Sequence, residues 1–128
     1  RSSFDLINYK IINELPAIEG KVASAIVKIR VNGVTKISAS DGEGPVHAMD
    51  LALRAALADF YPEIAKMSLT DFKVRVLDSD KATAAKVRVL ITSADSTDSW
   101  TTVGVSEDVI EASWFALVDS IDYALMRR

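Results

Sequence analysis

The two halves of this chain repeat one pattern of strands and helix, and this repetition limits the folds that it can adopt. Residues 27–31, with the sequence VKIRV, are matched by residues 87–91, with the sequence VRVLI. A similar strand precedes each segment, and a third strand and a helix follow it. We therefore predict a single domain over 1–128, built from two βββα units at about 4–65 and about 69–126.

The strand predictions rest on alternation of apolar and charged side chains. Phe72, Val74 and Val76 alternate with Lys73 and Arg75, the period expected when successive side chains point to opposite faces. One face of the sheet is then apolar and the other charged. That pattern is typical of an antiparallel sheet covered on one side only.

Turn and cap residues indicate where the first elements end. Asn-Gly at 32–33 predicts a type I′ hairpin, which requires positive φ at both central positions. Pro45, directly after Gly44, begins the first helix, because proline lacks the N–H that has no partner there. Pro62 predicts that this helix ends or kinks near Tyr61.

For the second helix, Ser106 is the expected N-cap, with Glu107 and Asp108 in its first turn. Trp114 belongs to its apolar stripe, whereas Trp100 fits core packing or a subunit interface equally well. The predicted class is α+β with pseudo-twofold symmetry. Both helices lie on one apolar face of strands contributed by both halves.

Composition excludes several functions. The chain of 128 residues has no cysteine and one histidine, His47, which argues against a nucleophilic triad or a metal site. The net charge of -3 argues against general binding to nucleic acid or membrane. The chain starts at Arg1 rather than methionine, which suggests a piece of a longer protein, and no signal-peptide pattern opens it. The absence of cysteine leaves a reducing cytoplasm as the expected compartment.

A basic sheet face raises the alternative of a nucleic-acid platform. Such platforms stack bases on aromatic side chains, and the outward positions of these strands carry none. We therefore interpret this face as solvated. Its cations are Lys28, Arg30, Lys73, Arg75, Lys86 and Arg88.

Two features allow either a structural role or a binding role. The loop from Asp41 to Pro45 contains two glycines before a helix N-terminus, where free N–H groups favour an anion. By spacing alone, a plain strand-to-helix turn is the favoured explanation. Leu57, Phe60 and Ile64 share a helix face that suits either a small apolar pocket or ordinary core packing.

Several segments in order resemble the C-terminal regulatory domain of the 2-isopropylmalate synthase/citramalate synthase family. These are 42–46 (GEGPV), 71–77 (DFKVRVL), 84–89 (AAKVRV), 100–106 (WTTVGVS) and 110–117 (IEASWFAL). The resemblance covers nearly the whole chain, and the second half is closer to the citramalate synthase branch.

The resemblance implies a homodimer of double βββα units that binds isoleucine, or next leucine, and inhibits a distant active site. In that family an N-terminal TIM barrel holds a divalent metal and condenses acetyl-CoA with pyruvate or 2-oxoisovalerate. No barrel, catalytic residue, metal ligand or cofactor site is expected in this chain.

The same resemblance implies an effector pocket between the two units near the dimer interface. A free amino acid needs N–H donors for its carboxylate, acceptors for its ammonium and an apolar cup. The expected pocket residues are Asp41, Gly42, Gly44, Pro45, Val46, Ala48, Leu57, Phe60, Tyr61, Ile64, Val74, Thr101 and Val103. The alternatives are a leucine-sensing domain of a 2-isopropylmalate synthase and a structural dimerisation module without effector.

Overall fold

The computed structural model of the protein describes residues 4–18, 21–77 and 86–126. The order of elements is βββα twice, as the repeat predicts. The first half contains β1 (Asp5–Ile18), β2 (Lys21–Val31), β3 (Val34–Gly42), α1 (Pro45–Leu57) and a short 3₁₀ helix (Pro62–Lys66). The second half contains β4 (Ser68–Val76), β5 (Val87–Ala94), β6 (Ser99–Ser106) and α2 (Val109–Met126).

The six strands form two antiparallel sheets of three strands, in the orders β1-β2-β3 and β4-β5-β6. The α+β class is therefore confirmed. Each half has its own sheet and its own helix, so the described strands form two hydrogen-bonded sheets, one in each half. Two compact units divide between Ala65 and Lys66.

In the first unit, α1 packs on β2 and β3. Every second residue of β2 is buried beneath it, while Lys28 and Arg30 lie on the opposite face. The buried series is Ala23, Ala25, Val27, Ile29 and Val31. The side chains of this series are small at one end, Ala23 and Ala25, and larger at the other.

The hairpin between β2 and β3 turns at Asn32 and Gly33, whose φ angles are 50° and 82°. Both values are positive, as a type I′ turn requires. Val31 pairs directly with Val34 across the turn, so the hairpin sets the register of the strands. The predicted turn is confirmed.

Cap residues were predicted correctly for α1 and incorrectly for α2. Gly44 is the N-cap of α1 and Pro45 its first residue, but the helix ends at Leu57, before Tyr61. For α2 the cap is Asp108 rather than Ser106. Its Oδ1 accepts the backbone N–H groups of Ile110 at 2.8 Å and Glu111 at 3.4 Å.

In the second unit, α2 packs on β5 and β6. Val89 and Ile91 are buried beneath it, and the facing positions on β6 are Gly104 and Thr102. Val103 and Val105 therefore lie on the open face, away from α2. The predicted separation into an apolar and a charged face is wrong for β6, whose two exposed valines share the open face with cations.

Candidate functional site

The loop between β3 and α1 is held by close backbone packing. A Cβ atom built on Gly42 would overlap the backbone of Ala48, so a larger residue there would push the helix away from the strand. Nothing lies within 4 Å of the corresponding position on Gly44. The Ala48 N–H donates to the Gly44 carbonyl at 3.0 Å, which closes the first helical turn.

Side chains tie both ends of this loop to the first unit. Asp41 is exposed and accepts a hydrogen bond from the Ser24 hydroxyl at 2.6 Å. His47 is also exposed, and its Nδ1 accepts the backbone N–H of Glu43 at 3.1 Å. The histidine thus fastens the loop over the start of α1, while Val46 beside it is half-buried.

A buried carboxyl lies one turn after this loop. Asp50 is only 4% exposed, and burial raises the pKa of its carboxyl, although the nearby charges of Arg54 and His47 lower it. The Arg54 guanidinium donates to Asp50 at 3.0 Å. This pair was not predicted, because an i, i+4 pair of opposite charge normally lies on an exposed helix face.

The residues expected at the end of α1 divide into two groups. Leu57 and Ile64 are 0% and 1% exposed and belong to the core. Phe60 and Tyr61 are half-buried, and the backbone N–H groups of both donate to the Leu57 carbonyl. Phe60 and Tyr61 are therefore the members of this group that retain accessible surface.

The residues expected from the second unit do not lie together. Val74 pairs with the buried Val89 and therefore lies on the face that α2 partly covers. Thr101 and Val103 lie on the opposite face of the same sheet, paired with Thr92 and Leu90. Val74 therefore lies on the opposite face of the sheet from Thr101 and Val103.

A buried polar network links β5, β6 and α2. The hydroxyls of Ser93 and Ser120 are 2.6 Å apart, and Trp100 Nε1 donates to the Ser120 carbonyl and hydroxyl at 3.1 Å each. The Trp100 ring lies 5.4 Å from that of Tyr123. Trp100 is thus packed within its own unit, and Trp114 is buried as predicted. Isolated serines in the sequence gave no signal of this network.

The described part of the chain contains no group of three or more His, Cys, Asp or Glu side chains arranged to hold a metal ion. None of its helices combines the length and apolarity that crossing a membrane would require.

Comparison with known proteins gives consistent results. Residues 1–125 match the family model described as the LeuA allosteric (dimerisation) domain. The chain is 48% identical to an (R)-citramalate synthase of Aquifex aeolicus over 97% of its own length and 24% of that protein. It is 43% identical to an (R)-citramalate synthase of Geobacter sulfurreducens, over 98% of its own length and 24% of that protein. The chain thus spans about a quarter of the curated relatives that it matches.

Proposed function

This chain belongs to the family of LeuA allosteric (dimerisation) domains, and we propose that it is the dimer-forming regulatory domain of a citramalate synthase. The observation that carries the proposal is the identity of 48% to a citramalate synthase along nearly the whole chain. The catalytic reaction, condensation of acetyl-CoA with pyruvate, would then belong to the remaining part of a cytoplasmic acyltransferase. The domain itself contributes regulation.

The proposed effector is a branched-chain amino acid, with isoleucine first and leucine second. The loop from Gly42 to Ala48 supports this assignment, because a helix N-terminus carries N–H groups suited to a carboxylate. Gly44 has open space beside its Cα, so a ligand can approach the backbone. The exposed Asp41 is a candidate acceptor for the ammonium group.

The apolar part of the proposed site uses the accessible residues near the end of α1. Phe60 and Tyr61 offer surface, and the buried Leu57 and Ile64 support them from the core. Val74 is the candidate from the second unit on the face toward its helix. Thr101 and Val103, on the open face of the same sheet, are the other candidates from the second unit.

Feedback inhibition is then a coupling free energy between the effector site and the distant catalytic site, typically about 1–3 kcal/mol. The effector would favour one packing of the units across a homodimer. That packing would lower the activity of the catalytic part of the enzyme, although this domain itself carries out no chemical step.

Titration calorimetry with isoleucine, leucine and valine tests the proposal. We expect saturable heat with isoleucine and a weaker response to leucine, because the two isomers differ only in the position of the side-chain branch and are distinguished by the shape of the pocket. Phe60→Glu and Gly44→Asp should remove the heat while the dimer persists. Ala55→Glu, on the exposed side of α1, is the matched control and should bind normally.

The outcomes distinguish the alternatives. A clear preference for leucine favours a domain of a 2-isopropylmalate synthase. A stable dimer that gives no heat with any of the three amino acids favours a structural dimerisation module, and would contradict the sensing role. Normal binding by Phe60→Glu and Gly44→Asp would contradict the assigned site.

A further inference from the structure

The open face of the second sheet carries a compact cluster of cations and aliphatic side chains, which we call the basic face. Its residues follow from the register. Arg75, Arg88 and Val105 form one row across the three strands, and Lys73, Leu90 and Val103 form the next. Four of them, Lys73, Arg75, Arg88 and Leu90, line one depression together with Val74.

The two arginines of the basic face are not neutralised within the described chain. Arg75 lies directly opposite Arg88, and like charges in that position destabilise a sheet. No carboxylate of the described residues lies within 4.0 Å of either guanidinium, and Arg88 Nε is buried without a hydrogen-bond partner there. Among the described residues, the one ion pair of Lys73 is a long contact of 3.7 Å with the exposed Asp71.

The basic face also exposes apolar surface next to these charges. Val103 is 45% and Val105 42% exposed. Exposed aliphatic groups bordered by charge are typical of a protein–protein contact. A nucleic-acid strand fits less well, because none of the six residues is aromatic.

We infer that the basic face docks onto an acidic surface with aliphatic side chains on the remaining part of the same polypeptide. This inference rests on the proposed function, in which the domain must transmit its state to a catalytic part. The matched relatives are about four times longer than this chain, so a large surface of the enzyme lies outside residues 1–128. Carboxylates there would complete the hydrogen bonds and neutralise the charge that Arg75 and Arg88 concentrate.

Zero-length carbodiimide cross-linking of the full-length enzyme tests the contact itself. This reagent joins an amine to a carboxylate in direct contact, so we expect mass spectrometry to find Lys73 linked to Asp or Glu outside residues 1–128. Links confined to this chain, for example to Asp78 or Asp80, would overturn the inference. Links to a second copy of residues 1–128, or none from Lys73, would also overturn it.

Charge reversal in the full-length enzyme tests the consequence. The double variant Arg75→Glu/Arg88→Glu should bind the effector within about twofold of the normal Kd, yet require at least about tenfold more effector for half-inhibition. Lys28→Glu/Arg30→Glu, on the open face of the first sheet, is the matched control and should be inhibited normally. Equal loss of inhibition in both variants, or in neither, would contradict docking through the basic face.

The two experiments separate this inference from the proposed function. If the unmodified enzyme binds no branched-chain amino acid, the sensing role fails. The cross-links from Lys73 still decide whether the basic face is a docking surface.

Discussion

Gly104 is the residue at which β6 comes closest to α2. A Cβ atom at this position would overlap the carbonyl oxygen of Ala112 and crowd the backbone nitrogen of Ala116. In the first unit Gly42 has the same relation to Ala48 on α1. In both units, therefore, the absence of a side chain on the third strand lets the helix rest directly on the sheet.

Replacement of this glycine should be costly. We expect Gly104→Ala to lower the free energy of unfolding by about 2–4 kcal/mol, because either the helix or the strand must shift to admit a methyl group. Gly44→Ala is the control and should cost less than about 1 kcal/mol, since its Cβ meets open space and φ is extended. Urea unfolding followed by circular dichroism measures both, and equal stabilities would contradict the packing.

Asp50 makes a prediction about pH. Its pKa is raised by burial, so the folded chain holds this proton more tightly than the unfolded chain, in which the ordinary pKa is about 3.9. The group therefore contributes most stability below that value, and the contribution is lost as pH rises through the raised pKa. Asp50→Asn does not bind this proton. As pH rises from the ordinary pKa through the raised one, its free energy of unfolding should therefore increase relative to that of the unmodified chain.

Urea unfolding of both chains between about pH 3 and about pH 8 measures the difference, and carbon NMR of the Asp50 carboxyl gives its pKa directly. If the carboxyl titrates below its ordinary value, the ion pair with Arg54 outweighs burial and the expected trend reverses.

At the scale of elements, the Ser93–Ser120 contact fastens β5 to α2 inside the second unit. Ser120→Ala leaves the Ser93 hydroxyl buried without this partner, which should cost about 1–3 kcal/mol. The double variant Ser93→Ala/Ser120→Ala should cost less than the sum of the single changes, by about 0.5 kcal/mol or more. A double-mutant cycle from urea unfolding measures this coupling. Ser93→Ala combined with Thr35→Ala, an exposed residue of the first unit, should be additive.

Local chemistry made most elements predictable from the sequence. Alternation in 27–31 and 87–91 identified the central strands, and the Asn-Gly pair at 32–33 identified a turn that few other residues can form. Pro45 marked the start of α1 because its ring is favourable only there. These signals depend on a few adjacent residues, so they can be recognised in the sequence without knowledge of the tertiary structure.

The remaining errors concern features that depend on tertiary contacts. Ser106 and Asp108 are both good N-caps, and pairing of Ser106 with Val87 extends β6 to that residue and leaves the cap to Asp108. Hydrophobicity alone would turn Val103 and Val105 inward, yet contact with α2 requires Gly104 on that side. The predicted site residues Val74 and Val103 lie on opposite faces of the sheet because they pair with adjacent residues of β5, Val89 and Leu90.

At the scale of the whole molecule, the proposed homodimer should make stability depend on concentration. If folding and association are coupled, a tenfold increase in protein concentration should raise the apparent free energy of unfolding by about 1.4 kcal/mol. Urea titrations at several concentrations, with sedimentation equilibrium for the mass, measure this. A midpoint that does not change with concentration, together with a monomeric mass, would contradict a dimer.

Strand β4 lies at the edge of its sheet and is exposed along both faces. An edge strand with Phe72, Val74 and Val76 that no described strand covers could template fibrils, and cationic side chains on such strands act as gatekeepers against cross-β growth. Lys73 and Arg75 would thus protect solubility whatever they bind. Replacing Lys73 and Arg75 by glutamate keeps a charge on the strand and therefore keeps that protection. Replacing them by alanine would promote aggregation, and the effect on the enzyme would then be mistaken for loss of regulation.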